Sequence, residues 1–379
     1  MIKTPAKINL LGLDREGLKL FLARLGEKPF RVKQIMQWIY QRGVSDFEQM
    51  TDLSKELREK LAQMAEVRAP EVMSDAPSED GTRKWLLRMD ATQGIETVFI
   101  PAEERGTLCI STQVGCALDS AFCSTGKQGF NRDLTTAEIV GQVWLAARVL
   151  GQFEPAALAS GVTSQSRRIT NIVLMGMGEP LMNYDRVLPA LRLFMDDFAF
   201  GISKRKVTLS TSGVVPGIDR LTNDIDVALA LSLHATNDAL RDQLVPVNKK
   251  WPIAEVIAAC RRYVDKRPHR HVLIEYVMLD GVNDSDQHAR ELIRICSQLP
   301  VKVNLIPFNP FPGTEFKRSS PERIAAFRAL LQAKDIITTT RRTRGDDIDA
   351  ACGQLAGQVS DKGTKQAHYA KLRVAGADR

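Results

Sequence analysis

Two cysteines and a serine carry the first chemical signal. The segment Cys116-Ala-Leu-Asp-Ser120-Ala-Phe-Cys123 places two thiols seven residues apart with a hydroxyl between them. With cysteine at position 120 the run would read Cys-x3-Cys-x2-Cys, three thiols in one loop of the kind that hold iron-sulfur clusters. Thiolates suit such clusters because they are soft, strongly donating and deprotonated by the metal itself. A serine hydroxyl is far more basic, and its oxygen is a harder donor than iron-sulfur clusters select. Taken alone, Cys116 and Cys123 read equally well as two buried thiols.

Other candidates stand at the ends of apolar runs. Gly176, Gly178 and Glu179 follow one such run, in Met175-Gly-Met-Gly-Glu-Pro180, where glycines let a ligand approach the backbone. Ser210 ends the next run, Ser232, Leu233 and His234 end the one after, and Asn309 follows the last. Single polar residues at strand ends are commonly caps or turn formers, but their convergence on one rim favours a ligand. His234 by itself reads as a satisfied core histidine. Cys109 lies in an apolar run, where cysteine is usually a small buried hydrophobe, and Glu96 lies at a strand end, where carboxylates are usually solvated. Cys352 follows Arg344-Gly-Asp-Asp-Ile-Asp349, a Gly- and Asp-rich stretch that reads as a mobile loop. Cys260 and Cys296 sit on apolar helical faces and read as core.

These residues need a scaffold, and the hydrophobic pattern supplies one. Residues 1–70 read as a small helical domain, with helices over Arg15–Leu25, Phe30–Tyr40 and Ser54–Ala65. Pro70–Gly81 reads as a linker, and in the 71–104 segment the runs Thr82–Met89 and Ile95–Ile100 form an accessory β-hairpin. Over 105–350, six strands alternate with amphipathic helices: Thr107–Thr112, Ile169–Met175, Lys206–Ser212, Val227–His234, Val272–Leu279 and Val301–Pro307. Parallel neighbours need helical crossovers, and six units fall short of the eight in a closed barrel. The fold class is therefore α/β, a partial (βα)6 TIM-like barrel. Thr135 with Glu138 predicts a capping box at the first barrel helix. Gly151–Arg168 reads as a mobile surface insertion, and 351–379 as a C-terminal segment with a basic tail carrying Lys362, Lys365, Lys371, Arg373 and Arg379.

Composition narrows the classes. The 379 residues are 44% hydrophobic and 26% charged, and the longest apolar runs are far short of the roughly 20 residues a membrane span needs. No signal peptide pattern opens the chain, so the six cysteines are expected to be reduced thiols of a cytoplasmic protein. A net charge of +7 suits a polyanionic partner. Candidate phosphate contacts are Lys204, Arg205, Lys206, Lys249, Lys250, Arg341, Arg342 and Arg344.

From the helical start to Gly357 the chain is similar to the RlmN family of the radical S-adenosylmethionine (SAM) superfamily, the dual-specificity methyltransferases of ribosomal and transfer RNA. The resemblance rests on Ser111-Thr-Gln-Val-Gly-Cys116, Gln128-Gly-Phe-Asn-Arg132, Met175-Gly-Met-Gly-Glu-Pro180, Thr208-Leu-Ser-Thr-Ser-Gly213, Leu231-Ser-Leu-His234, Asn304-Leu-Ile-Pro-Phe-Asn309 and Thr343-Arg-Gly-Asp-Asp-Ile-Asp-Ala-Ala-Cys-Gly353. It implies a radical SAM barrel behind an RNA-binding-type helical domain. It also implies methylation of adenine carbon 2, at adenine 2503 of 23S rRNA and adenine 37 of tRNA, with two SAM consumed per turnover.

In the family pattern a [4Fe-4S] cluster is held at Cys116, Cys123 and the position that Ser120 occupies. SAM is bound by Gly178, Glu179, Ser210, Ser232, Leu233, His234 and Asn309. Cys352 is the methyl carrier, Cys109 resolves the protein-RNA thioether by forming a disulfide with it, and Glu96 is the proton acceptor. A monomer served by an electron donor such as flavodoxin, with no membrane partner, completes the expectation. Two other readings stay open: an RNA-binding protein of this fold without radical activity, because of Ser120, and methylation at adenine carbon 8.

Overall fold

The apolar runs become neighbours in a single ten-stranded sheet, and their order in space follows their order in the chain. The computed structural model describes residues 6–154 and 168–358. It opens with a two-residue strand, β1 (Ile8–Asn9), paired in parallel with β2 (Ala65–Glu66). Between them lie α1 (Arg15–Arg24), α2 (Arg31–Met36), which runs on into a π-helical turn over Gln37–Gln41, and α3 (Lys55–Met64). Asp14 and Ser54 start α1 and α3 by accepting from the backbone N–H groups of Gly17 and Leu57, which the helices themselves leave unpaired.

Four antiparallel strands follow: β3 (Glu71–Pro77), β4 (Arg83–Arg88), β5 (Gly94–Ala102) and β6 (Arg105–Cys109). The expected hairpin is present as β4 and β5, but the segment read as a linker contains β3. It is an edge strand, where proline and charged residues are tolerated, and the Arg83 guanidinium forks onto Asp75 at 2.6 and 2.7 Å to hold it.

A small antiparallel pair, β7 (Gln113–Gly115) and β8 (Phe130–Asp133), brackets the cysteine loop and its short helix α4 (Ser124–Lys127). The barrel proper continues through α5 (Thr136–Val149), β9 (Asn171–Leu174), α6 (Tyr184–Met195), β10 (Val207–Thr211), α7 (Val215–Asp224) and β11 (Ala228–Ser232). Then come α8 (Asp238–Leu244), α9 (Ile253–Asp265), β12 (Val272–Met278), α10 (Asp286–Cys296), β13 (Val301–Pro307), α11 (Pro321–Gln332) and β14 (Thr338–Thr340). Spatial order is β14-β13-β12-β11-β10-β9-β6-β5-β4-β3, with every pair from β6 to β14 parallel. The sheet therefore ends in two edges, as a partial barrel must. All six expected strands are there. β14 is a seventh that three threonines gave no reason to expect.

The Thr135–Glu138 capping box forms at α5, and the Trp144 indole N–H donates to the Ile39 carbonyl at 2.8 Å, tying α5 to the N-terminal helices. Cys260 and Cys296 are buried in α9 and α10, as expected. Most of the insertion read over Gly151–Arg168, and the basic tail, lie outside the described residues. Among the described residues no helix is long and apolar enough to cross a membrane.

Candidate active site

Parallel strands aim their C-terminal ends at one face, and there the loops enclose a central cavity. Cys116 enters it just after β7, and Cys123 caps α4 in an extended conformation. The loop between them is stiff: the Cys116 N–H donates to Gly129 at 2.7 Å, the Ala121 N–H to Leu244 at 2.9 Å, and Asp119 takes φ 51°. Burial pushes the Cys116 thiol up to about 12 and the Cys123 thiol in the same direction. Ser120 lines the same cavity.

Opposite the cysteine loop, β9 ends in the glycine turn. Gly178 has φ 94°, and a Cβ there would come within 2.4 Å of the Gln113 side chain, so only glycine serves. Glu179 is 3% exposed, accepts from the N–H groups of Leu181 at 3.1 Å and Ser212 at 2.8 Å, and has its carboxyl pushed up to about 7 by burial. The Ser210 and Ser232 hydroxyls face each other at 3.4 Å across β10 and β11. His234 turns into the cavity with φ 61°, and its ring stands edge-on to Phe122 at 4.5 Å. Its Nδ1 accepts the Val277 N–H at 3.0 Å, and burial holds the imidazole down at about 3. The ring is therefore neutral with its proton on Nε2. It is both the satisfied core histidine and a lining residue. Asn309 completes this wall and donates to the Cys352 carbonyl at 3.3 Å.

Two residues the sequence reading passed over build this geometry. Arg241, on α8, is fully buried, and its guanidinium donates to the carbonyls of Leu233 (3.0 Å), Ser212 (2.7 Å) and Ser232 (3.2 Å) and to Asn248 Oδ1 (2.9 Å). One side chain thus fixes the turns after β10 and β11. Burial lowers it to about 10, still charged at neutral pH. Glu275 lies inside β12, 4% exposed, facing the cavity, and takes the Asn304 amide at 3.1 and 3.3 Å. Its signal was available: a lone charge within Val-Leu-Ile-Glu-Tyr-Val-Met278.

The C-terminal segment closes the cavity. Gly94 and Gln358 exchange backbone hydrogen bonds at 2.8 and 2.9 Å, Ser124 donates to Gly353 at 2.7 Å, and the Gln354 amide donates to Pro310 at 3.0 Å. This brings Cys352 to the cavity wall. The loop read as mobile is strapped down on both sides here. Glu96, on β5, does not line the cavity. Its carboxylate accepts the Ala356 N–H at 2.9 Å and pairs with Lys84 at 3.1 Å, and Lys84 also donates to the Asp349 carbonyl. Cys109 ends β6 behind the wall, where burial pushes its thiol up to about 12. The Leu233 side chain belongs to the core.

Comparison with known proteins matches this architecture in two parts. Residues 8–67 match the ribosomal RNA large subunit methyltransferase N-terminal domain, and residues 110–293 match the radical SAM superfamily. Over 370 residues the chain is 56% identical to a dual-specificity RNA methyltransferase RlmN of Marinobacter nauticus, covering 97% of this chain and 98% of that protein. The chain belongs to the RlmN family of radical SAM methyltransferases. Among solved structures, a radical SAM methyltransferase from Sphaerobacter thermophilus superposes with a TM-score of 0.82 at 44% identity, over 92% of this chain and 99% of the other.

Membership implies SAM and an iron-sulfur cluster, and the residues fit the two differently. The cradle suits SAM, with a glycine turn that admits backbone approach, a buried carboxylate and neutral donors around one enclosed space. The cluster seat does not suit its cluster. Cys116 and Cys123 offer two thiols where three are needed, Ser120 offers a hydroxyl, and among the described residues no group of three or more Cys, His, Asp or Glu is placed to hold a metal ion. The disulfide implied for Cys109 and Cys352 is also overturned. All six cysteines are free, with Cys109 fixed in its strand and Cys352 carried on the strap.

Proposed function

We propose that this chain is shaped to methylate carbon 2 of adenine in 23S rRNA and tRNA, at adenine 2503 and adenine 37, through a methyl group carried on Cys352. The observation that supports this reading is the placement of Cys352 in one cavity with Glu179 and the loop of Cys116 and Cys123. SAM, when bound, supplies the methyl group. Gly178, Glu179, Ser210, Ser232, His234 and Asn309, which line that cavity, would hold it, with Glu179 accepting from its amino group. The Cys352 thiol must lose its proton to accept a methyl group, and burial opposes this while the charge of Arg341 favours it. The family pattern gives the ring proton to Glu96, whose carboxylate here is held by the Ala356 N–H and Lys84 outside the cavity lining.

Adenine carbon 2 is an electron-poor amidine carbon that does not attack a sulfonium methyl, so the reaction there requires radical chemistry. The seat of Ser120 is not equipped to start it. That favours a second reading for the chain as it stands: an RNA-binding member of the family whose radical step is interrupted. A cytoplasmic monomer fits both readings, and an electron donor such as flavodoxin belongs to the first alone.

The test is mass mapping of RNA treated anaerobically with the reconstituted Ser120→Cys variant, a low-potential one-electron reductant and SAM bearing a deuterated methyl group. Label in 2-methyladenosine at the two proposed positions is the expected result. Label in 8-methyladenosine, or none in any adenosine, would overturn the proposal.

A further inference from the structure

Arg341 lies near the carrier cysteine, and its charge on Cys352 leaves its hydrogen-bond donors unexplained. Its backbone N–H donates to the Leu305 carbonyl at 2.8 Å, which continues the β13–β14 pairing by one residue and fixes where the side chain starts. The side chain is half-buried, and its charge is felt by Cys352, Glu275 and Cys109. Yet the guanidinium forms no hydrogen bond or salt bridge with any described residue.

The neighbouring groups are otherwise engaged. Glu275 is occupied by Asn304, and Arg344 lies 3.5 Å from Asp80. A partly desolvated guanidinium whose donors meet no acceptor among the described residues is suited to receive an anion. Its planar fork matches a phosphate bidentately.

A second observation gives that anion a place. Arg341, Arg342, Thr343 and Arg344 line a narrow cavity whose far wall is Ala351 and Cys352. Cys352 thus stands between two spaces, the central cavity on one side and this basic one on the other. A nucleotide whose base reaches Cys352 would bring its backbone phosphate within the compass of these arginines.

We propose that this cavity is a phosphate seat, in which Arg341 holds a phosphodiester flanking the adenosine presented to Cys352. The proposal rests on the RNA-substrate reading above. Arg341 is a positioning residue, since it registers the RNA rather than touching the reacting atoms.

The test needs only binding and uses the full chain. A short fluorescent RNA hairpin with one loop adenosine is titrated at fixed salt, alongside hairpins carrying a neutral methylphosphonate at the linkage 5′ or 3′ of that adenosine. Arg341→Gln is expected to weaken the unmodified hairpin about tenfold, as loss of a charged hydrogen-bonded pair does. The neutral linkage should weaken the unmutated chain similarly at one of the two positions, and combining the two changes should add little further. SAM binding by equilibrium dialysis should not move, and Arg341→Lys should fall between.

Equal affinity of Arg341→Gln and the unmutated chain, or fully additive losses, would overturn the phosphate seat. Should Arg341→Gln misfold, the unmutated chain still decides, because equal binding of all three hairpins rejects the proposal. No binding of any hairpin by the unmutated chain rejects the RNA reading itself and this proposal with it.

Discussion

Replacing Ser120 with cysteine should raise the iron and sulfide held after anaerobic reconstitution from a substoichiometric, labile level to one full cluster per chain. The loop is already shaped for it. Cys116 and Cys123 face the same cavity, Ser120 stands between them, and backbone hydrogen bonds to Gly129 and Leu244 fix the loop independently of any metal. Only the donor atom is wrong. Ser120→Cys changes one oxygen to sulfur and asks no rearrangement of the backbone, so iron analysis and the visible absorption of the two proteins isolate the ligand. Equal iron and equal stability to chelator in both would show that two thiolates suffice here.

The second large effect is on folding. Arg241→Met should cost about 3–5 kcal/mol, because it leaves the carbonyls of Leu233, Ser212 and Ser232 and the Asn248 side chain without their buried donor. Methionine nearly fills the volume, so the loss reports hydrogen bonding rather than a cavity. Arg241→Lys keeps the charge but not the fork, and should recover only part of the loss. The measurement is the urea midpoint, with SAM affinity read in parallel, since the turns that Arg241 holds carry Ser232 and His234. A loss below about 1 kcal/mol would show that water or a shifted backbone replaces the guanidinium.

Much of the scaffold was legible because its signals are local. The six apolar runs are strands because each is buried on the barrel, and Thr135 with Glu138 marks a helix start by its own side-chain chemistry. What escaped depends on distant partners. Thr338–Thr340 is a strand only because β13 offers it an edge, and Glu71–Pro77 only because β4 does. Nothing within those segments separates them from loops.

The site divides in the same way. Glu179, Ser210, Ser232, His234 and Asn309 were readable from their place at strand ends, and they line one cavity. Arg241 was not, since an arginine on a short helix looks solvated until its acceptors, up to 29 residues away, are known. The mobility read into the Cys352 loop came from its glycines and aspartates. The structure uses them for tight turns, at Gly345 and Asp349 with φ of 60° and 50°, that strap the loop down. The disulfide was a matter of family pattern alone, and six free thiols replace it.

This chain is a radical SAM methyltransferase scaffold that carries a serine, Ser120, at one cluster-ligand position. The most direct measurement is 5′-deoxyadenosine formed per chain under reducing, anaerobic conditions, for this protein and Ser120→Cys side by side. The predicted result is little from the chain as it stands and sustained production from Ser120→Cys. Equal turnover by the two proteins would contradict the account.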